Sequence, residues 1–232
     1  MPHAPPCTMI TGLTIPRRDA EADIKQGMSM FYSPYPKLDV NAMSWYGSHD
    51  YLNAFIRENH CRRIMEVGVY NGENAVSMVK AAIKNRPPSE VMYHGFDFFS
   101  SYSTERIGRK LDETGCSYKL FEGNTMYTVP EAARTLEAMD IIFIDGGKSF
   151  REAWSDWEGS SRLMHQDTGV FVHNVDFSGV GRMVDGIPED KYEVDVFYPR
   201  FEGKVALIRI KRHHITEKNR GLRNFYHGGV TP

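Results

Sequence analysis

The sequence predicts an α/β protein built on a doubly wound, mainly parallel sheet with helices on both faces. Strand-like and helix-like segments alternate from residue 62 onward, which is typical of successive βαβ units. Residues 141–144 are all apolar, as expected for a central strand that is covered on both sides. Near the end, the strand-like segments 192–198 and 205–210 flank a short turn that contains Gly203, which indicates an antiparallel hairpin.

The earlier segments follow one another regularly, and each strand leads through a turn into a helix. After Glu73, the apolar residues Val76, Val79 and Ile83 recur at helical spacing, which predicts the first helix of the core. A polar helix is expected at residues 104–113. The strands are predicted at residues 63–69, 91–99, 118–122, 139–145 and 169–175.

Two local sequence patterns indicate where the later helices begin. Pro130 is expected near the first turn of the helix after the third strand, where the missing N–H of proline costs nothing. Ser149 and Glu152 match the S-x-x-E capping box. The apolar face of the helix that they begin is predicted from Phe150, Trp154, Trp157, Ser161 and Met164.

Composition and charge fit a folded core and exclude several classes of protein. The 232 residues carry 28 Lys and Arg against 30 Asp and Glu, a net charge of −2, which disfavours a nucleic-acid partner. No apolar run approaches the roughly 20 residues that a membrane span needs. The three cysteines form no C-x-x-C pair, and the chain begins without a signal-peptide pattern, so a cytoplasmic location is expected.

Three regions are expected along the chain. Residues 62–212 form the core, and residues 1–61 precede it as a segment rich in proline and aromatic residues that ends in a helix at 49–59. This segment acts either as a cap or lid over the C-terminal edge of the sheet or as a surface wrap over a helix. Residues 213–232 are a basic tail, which fits a solvated terminus or a contact with an anionic partner.

The first strand ends in the pattern E-x-G-x-x-x-G, formed by Glu66, Gly68 and Gly72. The glycines allow a tight turn and a close approach of the backbone to a ligand. A dinucleotide fingerprint would have the spacing G-x-G-x-x-G, and an acid at this place would repel phosphate. The pattern therefore favours a ligand with an amino group, although the packing of an ordinary turn also explains two glycines.

The ends of the second and third strands carry groups that suit an adenosyl ligand. Ligands of open parallel sheets bind at the carboxyl ends of the strands. Asp97 can accept hydrogen bonds from both ribose hydroxyls, and its aromatic neighbour Phe98 can stack on a purine. Asn124 and Thr125 offer amide and hydroxyl groups to the edge of adenine. With the acid after the first strand, this pattern suits an adenosyl ligand that has an amino acid end.

These strand ends, together with the D-I-I-F-I-D run at 140–145, resemble the class I S-adenosylmethionine-dependent methyltransferases, which have a Rossmann-like sheet. Within that class, the chain is similar to the small metal-dependent O-methyltransferases of the catechol and caffeoyl-CoA kind and to bacterial sugar and antibiotic O-methyltransferases. The resemblance covers roughly residues 62–176. It implies that S-adenosylmethionine is the cofactor and that its site is formed by Glu66, Gly68, Tyr70, Gly72, Asp97, Phe98, Asn124, Thr125 and Asp145.

The resemblance also implies a metal and a catalytic base. Asp145 matches the carboxylate that binds a divalent metal such as Mg²⁺ or Mn²⁺, and Lys148 matches the general base. Where the family has an Asp-Asn pair, this chain has His173 and Asn174, so the implied metal ligands are Asp145, His173 and Asn174. His173 is open to three interpretations, as a metal ligand, as a base in a metal-free enzyme or as a core residue. Asp176 could restore the missing negative charge.

The sequence therefore predicts an S-adenosylmethionine-dependent methyltransferase that acts on a hydroxyl of a small molecule, with a divalent metal as an optional aid. Lys148, Asp145 and His173 are the candidate catalytic residues. A nicotinamide-dependent oxidoreductase on a similar sheet and a non-catalytic S-adenosylmethionine-binding protein are the alternatives. Neither a nucleic-acid nor a membrane partner is expected, and a homodimer is left open.

Overall fold

The computed structural model describes residues 49–199 and 202–212. The basic tail and the first 48 residues of the expected cap lie outside the described residues, so their roles stay predictions. The strands are β1 Arg63–Val67, β2 Met92–Asp97, β3 Ser117–Glu122, β4 Met139–Ile144, β5 Met164–Val172, β6 Tyr192–Phe197 and β7 Val205–Ile210. The helices are α1 Asp50–Glu58, α2 Glu73–Ala82, α3 Thr104–Asp112, α4 Thr125–Ala132, α5 Phe150–Ser161 and α6 Ser178–Asp185, with a short 3-10 turn at Pro88–Glu90.

The strands form one sheet in the order β3-β2-β1-β4-β5-β7-β6. The pairs from β3 across to β5 are parallel, whereas β7 runs antiparallel to both β5 and β6. The α/β class and the C-terminal antiparallel pair are therefore confirmed. The strand order reverses between β1 and β4, and in open parallel sheets such a switch point creates a crevice at the carboxyl ends of the strands.

Apolar side chains cover the sheet on both faces. One layer combines α1, α2 and α3 with Ile141 and Phe143, and the other combines α4, α5 and α6 with Ile142 and Ile144. Successive side chains of a strand point to opposite faces. The unbroken apolar run of β4 is thus explained by helices on both sides of it.

Two elements differ from the sequence-based expectation. β5 begins at Met164 rather than at residue 169, because Met164 pairs with Met139 before an irregularity in the register. Residues 165–167 are polar, so the sequence does not indicate the first half of this strand. At the irregularity, the Thr168 hydroxyl donates a hydrogen bond to the Met139 carbonyl at 2.6 Å. The second element is α6, which the sequence does not predict because Gly179 and Gly181 are weak helix formers.

Two expectations about helices are wrong in detail. α4 begins at Thr125, because the Asn124 side chain accepts a hydrogen bond from the Met126 amide at 3.0 Å, so Pro130 lies in the second turn rather than the first. The Ser149–Glu152 capping box of α5 is confirmed. The predicted apolar face of α5 is rotated, however, since the buried residues of that helix are Ala153, Asp156, Trp157, Gly159 and Ser160.

Candidate functional site

The carboxyl ends of β1 and β4 approach each other closely at Gly68. Its φ angle is +90°, and a Cβ atom built there would lie 2.5 Å from the carbonyl oxygen of Asp145. The Asp145 amide also donates to the Val67 carbonyl at 2.8 Å. A glycine is required here, because no other residue combines this conformation with this contact.

Asp97, at the end of β2, holds the loop that follows β1. Its Oδ2 atom accepts hydrogen bonds from the backbone amides of Val69 and Tyr70 at 2.8 and 2.9 Å, and its Oδ1 accepts from the Phe99 amide at 3.1 Å. A carboxylate has about four lone-pair sites, so acceptor capacity remains. Asp97 thus shapes the edge of the sheet and can still bind a ligand.

Backbone strain concentrates at this edge. Among the described residues, the non-glycine residues with positive φ are His60, Tyr70, Phe99 and Asn174, with φ values between 49° and 59°. Tyr70, Phe99 and Asn174 each lie just beyond the carboxyl end of a strand, β1, β2 and β5 respectively. Such conformations cost free energy and cluster at functional sites.

A cleft of about 260 Å³ opens at the same edge. Seven of the residues implied as cofactor ligands line it together, with Gly146, Gly147 and Glu152 as further lining residues: Gly68, Tyr70, Asp97, Phe98, Asn124, Thr125 and Asp145. Tyr70 and Phe98 are 50% and 57% exposed, so both rings are accessible from the cleft side. Gly146 and Gly147 follow β4, and Glu152 belongs to the capping box that the sequence predicts.

Glu66 and Gly72 do not line the cleft. The Glu66 side chain is buried, with the Asn74 amide donating to its Oε1 at 2.8 Å and the Tyr93 hydroxyl donating to its Oε2. Burial raises the pKa of Glu66 to about 8. Gly72 has a φ of +76°, and a Cβ atom there would lie 2.9 Å from Cδ1 of Ile107. Both residues support the loop after β1 from beneath.

Beside the cleft, the three candidate catalytic residues lie in contact. Lys148 Nζ donates to Asp145 Oδ1, and His173 Nδ1 lies 3.1 Å from Asp145 Oδ2. Burial opposes the ionisation of Asp145, but His173 and Lys148 outweigh burial and hold its pKa below the usual value. The structure therefore brings Lys148, Asp145 and His173 together.

Glu202 and His49 complete this group, and neither was among the site residues predicted from the sequence. Glu202 Oε2 lies 2.9 Å from His49 Nδ1 and 3.4 Å from His173 Nε2. Burial would lower the pKa of His173, but the carboxylates of Asp145 and Glu202 raise it to about 9. No spacing pattern links residues 49, 173 and 202, since they meet only through the sheet topology.

The remaining residues of this edge take structural positions. Asp176 Oδ1 accepts a hydrogen bond from the Lys204 amide at 2.8 Å, and the Val175 amide donates to the Lys204 carbonyl at 2.9 Å. Asp176 therefore fastens the start of β7 to the end of β5, and the additional negative charge beside His173 comes from Glu202. Asn174 follows His173 directly and accepts a hydrogen bond on its carbonyl from the Phe177 amide at 3.0 Å.

Residues 65–175 match a family model described as a methyltransferase domain. This part of the chain is a methyltransferase domain. The matched range runs from β1 to just past β5 and contains every residue that lines the cleft. The prediction of a class I S-adenosylmethionine-dependent methyltransferase is confirmed, and nothing found favours the oxidoreductase alternative. No curated protein sequence matches the chain.

Solved methyltransferase structures share the fold of this domain at low sequence identity. The O-methyltransferase TomG of Streptomyces achromogenes, in complex with S-adenosylmethionine, superimposes with a TM-score of 0.60 at 18% identity, over 75% of this chain and 83% of TomG. An O-methyltransferase of Bacillus cereus with S-adenosylhomocysteine gives 0.60 at 14% identity, over 82% and 88%. A putative caffeoyl-CoA O-methyltransferase of Staphylococcus aureus gives 0.57 at 13%, over 82% and 97%.

Within residues 49–199 and 202–212, no helix has the length and apolarity that crossing a membrane would take.

Proposed function

We propose that this methyltransferase transfers the methyl group of S-adenosylmethionine to a hydroxyl oxygen of a small molecule. The observation that carries the proposal is the cleft at the carboxyl ends of β1, β2 and β4, which gathers most of the residues implied as cofactor ligands. The solved structures of similar fold support it, because two of them are O-methyltransferases with S-adenosylmethionine or S-adenosylhomocysteine bound. A third is a methyltransferase with S-adenosylhomocysteine bound.

In this proposal, different residues of the cleft bind different parts of the cofactor. Asp97 binds the ribose hydroxyls, Phe98 stacks on the adenine ring, and Asn124 and Thr125 bind the edge of adenine. Gly68 lines the cleft, and its backbone lies against the amino acid end of the ligand. Glu66 contributes by holding the loop after β1 in shape rather than by touching the ligand, because its carboxylate is buried against Tyr93 and Asn74.

The reaction needs a hydroxyl deprotonated and aligned with the methyl group. A bond forms between the acceptor oxygen and the methyl carbon while the bond from that carbon to sulfur breaks, and the hydroxyl proton passes to a base. Lys148 is the proposed base, since it lies at the edge of the cleft in contact with Asp145. Alignment of the reacting atoms supplies much of the remaining rate enhancement.

A divalent metal would chelate the acceptor and favour the ionised form of its hydroxyl. The family resemblance implies Asp145, His173 and Asn174 as its ligands, and the ring of His173 shows how well this place suits a metal. Neither ring nitrogen of His173 has a hydrogen bond of good geometry, although both face carboxylates within 3.4 Å. A buried imidazole in this condition fits a metal ion that accepts nitrogen ligands.

The proposed partner is a small-molecule methyl acceptor. A cytoplasmic location and the absence of a nucleic-acid partner stay predictions from composition, and a homodimer stays open. Methylation of a fractionated cell extract in vitro would show which fraction contains the methyl acceptor. Sedimentation of the purified protein would determine its oligomeric state.

Two measurements test the proposed function. S-adenosylhomocysteine should raise the melting temperature of the full chain, whereas NAD should not. Transfer of a labelled methyl group should then be detected with a panel of diols, phenols and sugar hydroxyls, in the presence of Mg²⁺, Mn²⁺ or Zn²⁺. Absence of binding to either form of the cofactor would contradict the proposal. Binding without transfer to any acceptor would favour a non-catalytic S-adenosylmethionine-binding protein.

A further inference from the structure

Three side chains from distant segments form a cluster that shares only His173 with the metal ligands implied by the family resemblance. We call His49, His173 and Glu202 the imidazole–carboxylate cluster. His49 precedes α1, His173 follows β5, and Glu202 lies in the loop before β7. One nitrogen or oxygen atom from each of the three lies within 4.8 Å of those of the other two.

The cluster is compact and shielded from water. The side chains of His49, His173 and Glu202 are 11%, 13% and 10% exposed. The His49 ring centroid lies 5.1 Å from that of His173 and 5.0 Å from that of Phe143, so an aromatic wall backs the two imidazoles. His49 Nδ1 is hydrogen-bonded to Glu202 Oε2, whereas neither ring nitrogen of His173 has a hydrogen bond of good geometry. A buried polar atom without a partner costs free energy, which a bound ligand or ion would offset.

We propose that His49, His173 and Glu202 bind one divalent transition-metal ion through a nitrogen of each imidazole and a carboxylate oxygen. The donor atoms are Nδ1 of His49, Nε2 of His173 and the Glu202 carboxylate, whose Oε2 already lies 2.9 and 3.4 Å from the two nitrogens. Two imidazoles and one carboxylate are the ligands of several catalytic zinc sites. Mg²⁺ is disfavoured, because it prefers oxygen ligands.

Asp145 takes a different place in this arrangement from the one that the family resemblance implies. Its Oδ2 atom faces His173 Nδ1 at 3.1 Å, which is the ring nitrogen opposite the one that faces Glu202. Metal-binding histidines commonly present their other nitrogen to a carboxylate, which fixes the tautomer and the orientation of the ring. Asp145 is therefore a positioning residue for the metal, held in turn by Lys148.

The imidazole–carboxylate cluster adjoins the cleft through Asp145. Asp145 belongs both to the lining of the cleft and to the contacts of His173, so the cluster lies directly beside the proposed cofactor site. Three protein ligands leave further coordination positions for water or substrate. A role in activating the acceptor rests on the proposed function, but binding of the metal does not.

Metal titration of the full chain tests the proposal without any activity assay. Protein stripped of metal with a chelator is titrated with Zn²⁺ by calorimetry and with Co²⁺ by visible absorption. We expect one ion to bind tightly with release of protons, since the imidazoles must be deprotonated. His49→Ala and Glu202→Gln should each weaken binding by more than the roughly 10- to 100-fold that loss of an outer-shell partner costs.

Two controls separate this site from other histidines. His60→Asn changes an exposed histidine with a φ of 49°, a conformation that asparagine tolerates, and should leave binding unchanged. Replacing His213 and His214 with alanine removes the histidine pair of the basic tail and should also leave binding unchanged.

The shift in melting temperature with S-adenosylhomocysteine, measured on each variant, reports the cofactor cleft independently. If His49→Ala loses this shift as well, Glu202→Gln, which preserves size and hydrogen bonding, decides the question. The proposal is overturned if the wild type binds neither Zn²⁺ nor Co²⁺, if both cluster variants bind as tightly as wild type, or if the tail variant alone abolishes binding. Those results would leave the proposed methyl transfer to its own test.

Discussion

The Oδ2 atom of Asp145 lies 3.1 Å from Nδ1 of His173. The sheet itself imposes this contact, because β4 and β5 are adjacent parallel strands and the His173 amide donates to the Ile144 carbonyl at 3.0 Å. Each residue directly follows its strand, so their side chains start from neighbouring backbone positions. The contact joins the cofactor cleft, which Asp145 lines, to the cluster that contains His173.

Replacing Asp97 with alanine should abolish the shift in melting temperature caused by S-adenosylhomocysteine. The variant loses the proposed ribose ligand and the acceptor of three backbone amides. Without ligand, it should also be less stable by about 1–3 kcal/mol, the usual cost of an unsatisfied buried polar group. Calorimetry with and without ligand measures both effects. Glu122→Ala changes an exposed acid at the end of β3 outside the cleft and should behave as wild type. An unchanged ligand shift in Asp97→Ala would contradict its assignment to ribose.

Glu66→Gln should retain binding of S-adenosylhomocysteine and remove a pH dependence of stability. The folded-state pKa of Glu66, about 8, is above its ordinary value of 4.5, so the folded chain keeps a proton that the unfolded chain has released. The stability of the wild type therefore declines as pH rises from about 4.5 to about 8. Denaturant unfolding at pH 5 and pH 8 should show a smaller decline in the variant. Equal declines in both proteins would show that Glu66 does not titrate in this range.

Lys148→Met should lower the rate of methyl transfer by roughly 10²- to 10⁴-fold, which is the usual contribution of a general base. The affinity for S-adenosylhomocysteine should change little, because Lys148 contacts Asp145 but is not among the residues that line the cleft. Single-turnover transfer of a labelled methyl group and calorimetry separate the two quantities. Lys80→Met, on the exposed side of α2, is the matched control. A loss of cofactor affinity equal to the loss of rate would assign Lys148 to binding instead.

Gly68→Ala should destabilise the protein by more than about 2 kcal/mol and weaken cofactor binding. An L-residue with positive φ costs roughly 1–2 kcal/mol, and the added Cβ would also meet the Asp145 carbonyl oxygen at 2.5 Å. Gly115→Ala is a control for the backbone cost alone, since Gly115 has a φ of +74° but its nearest contact would be Pro88 at 3.4 Å. Thermal unfolding of the two variants should therefore differ. If they lose the same stability, the close approach of β1 and β4 has no energetic weight.

Local sequence patterns predicted those residues of the candidate site that lie at the carboxyl ends of the parallel strands. Asp97 ends a strand, and Gly68, Asn124 and Asp145 come within two residues after one. The carboxyl ends of parallel strands meet at one edge whatever the rest of the chain does. The direction of a single side chain is less accessible, because a pattern cannot tell whether a strand-end acid faces the ligand or the core. Glu66 has the family's position but turns toward Tyr93 and Asn74.

Long-range contacts set the limit of the prediction. His49 and Glu202, which are 153 positions apart in the chain, both lie close to His173, and no spacing rule connects the three residues. The polar first half of β5 and the glycines of α6 likewise conceal elements that tertiary packing stabilises. Sequence reasoning could have found Glu202 only by aligning the β6–β7 hairpin against β5, where Ala206 pairs with Val172.

The reversed direction of β7 has a consequence for how this enzyme can diverge. Because β7 is antiparallel to β5, the end of β6 and the start of β7 lie at the same edge as Asp145 and His173, whereas most of the cleft is lined from the other half of the sheet. Exchanging the hairpin turn for one of different length would alter the environment of His173 while the strands and the cofactor loops keep their register. On the proposed function and the proposed metal site, the turn is thus a separable module, through which acceptor choice and metal preference can change without rebuilding the binding of the methyl donor.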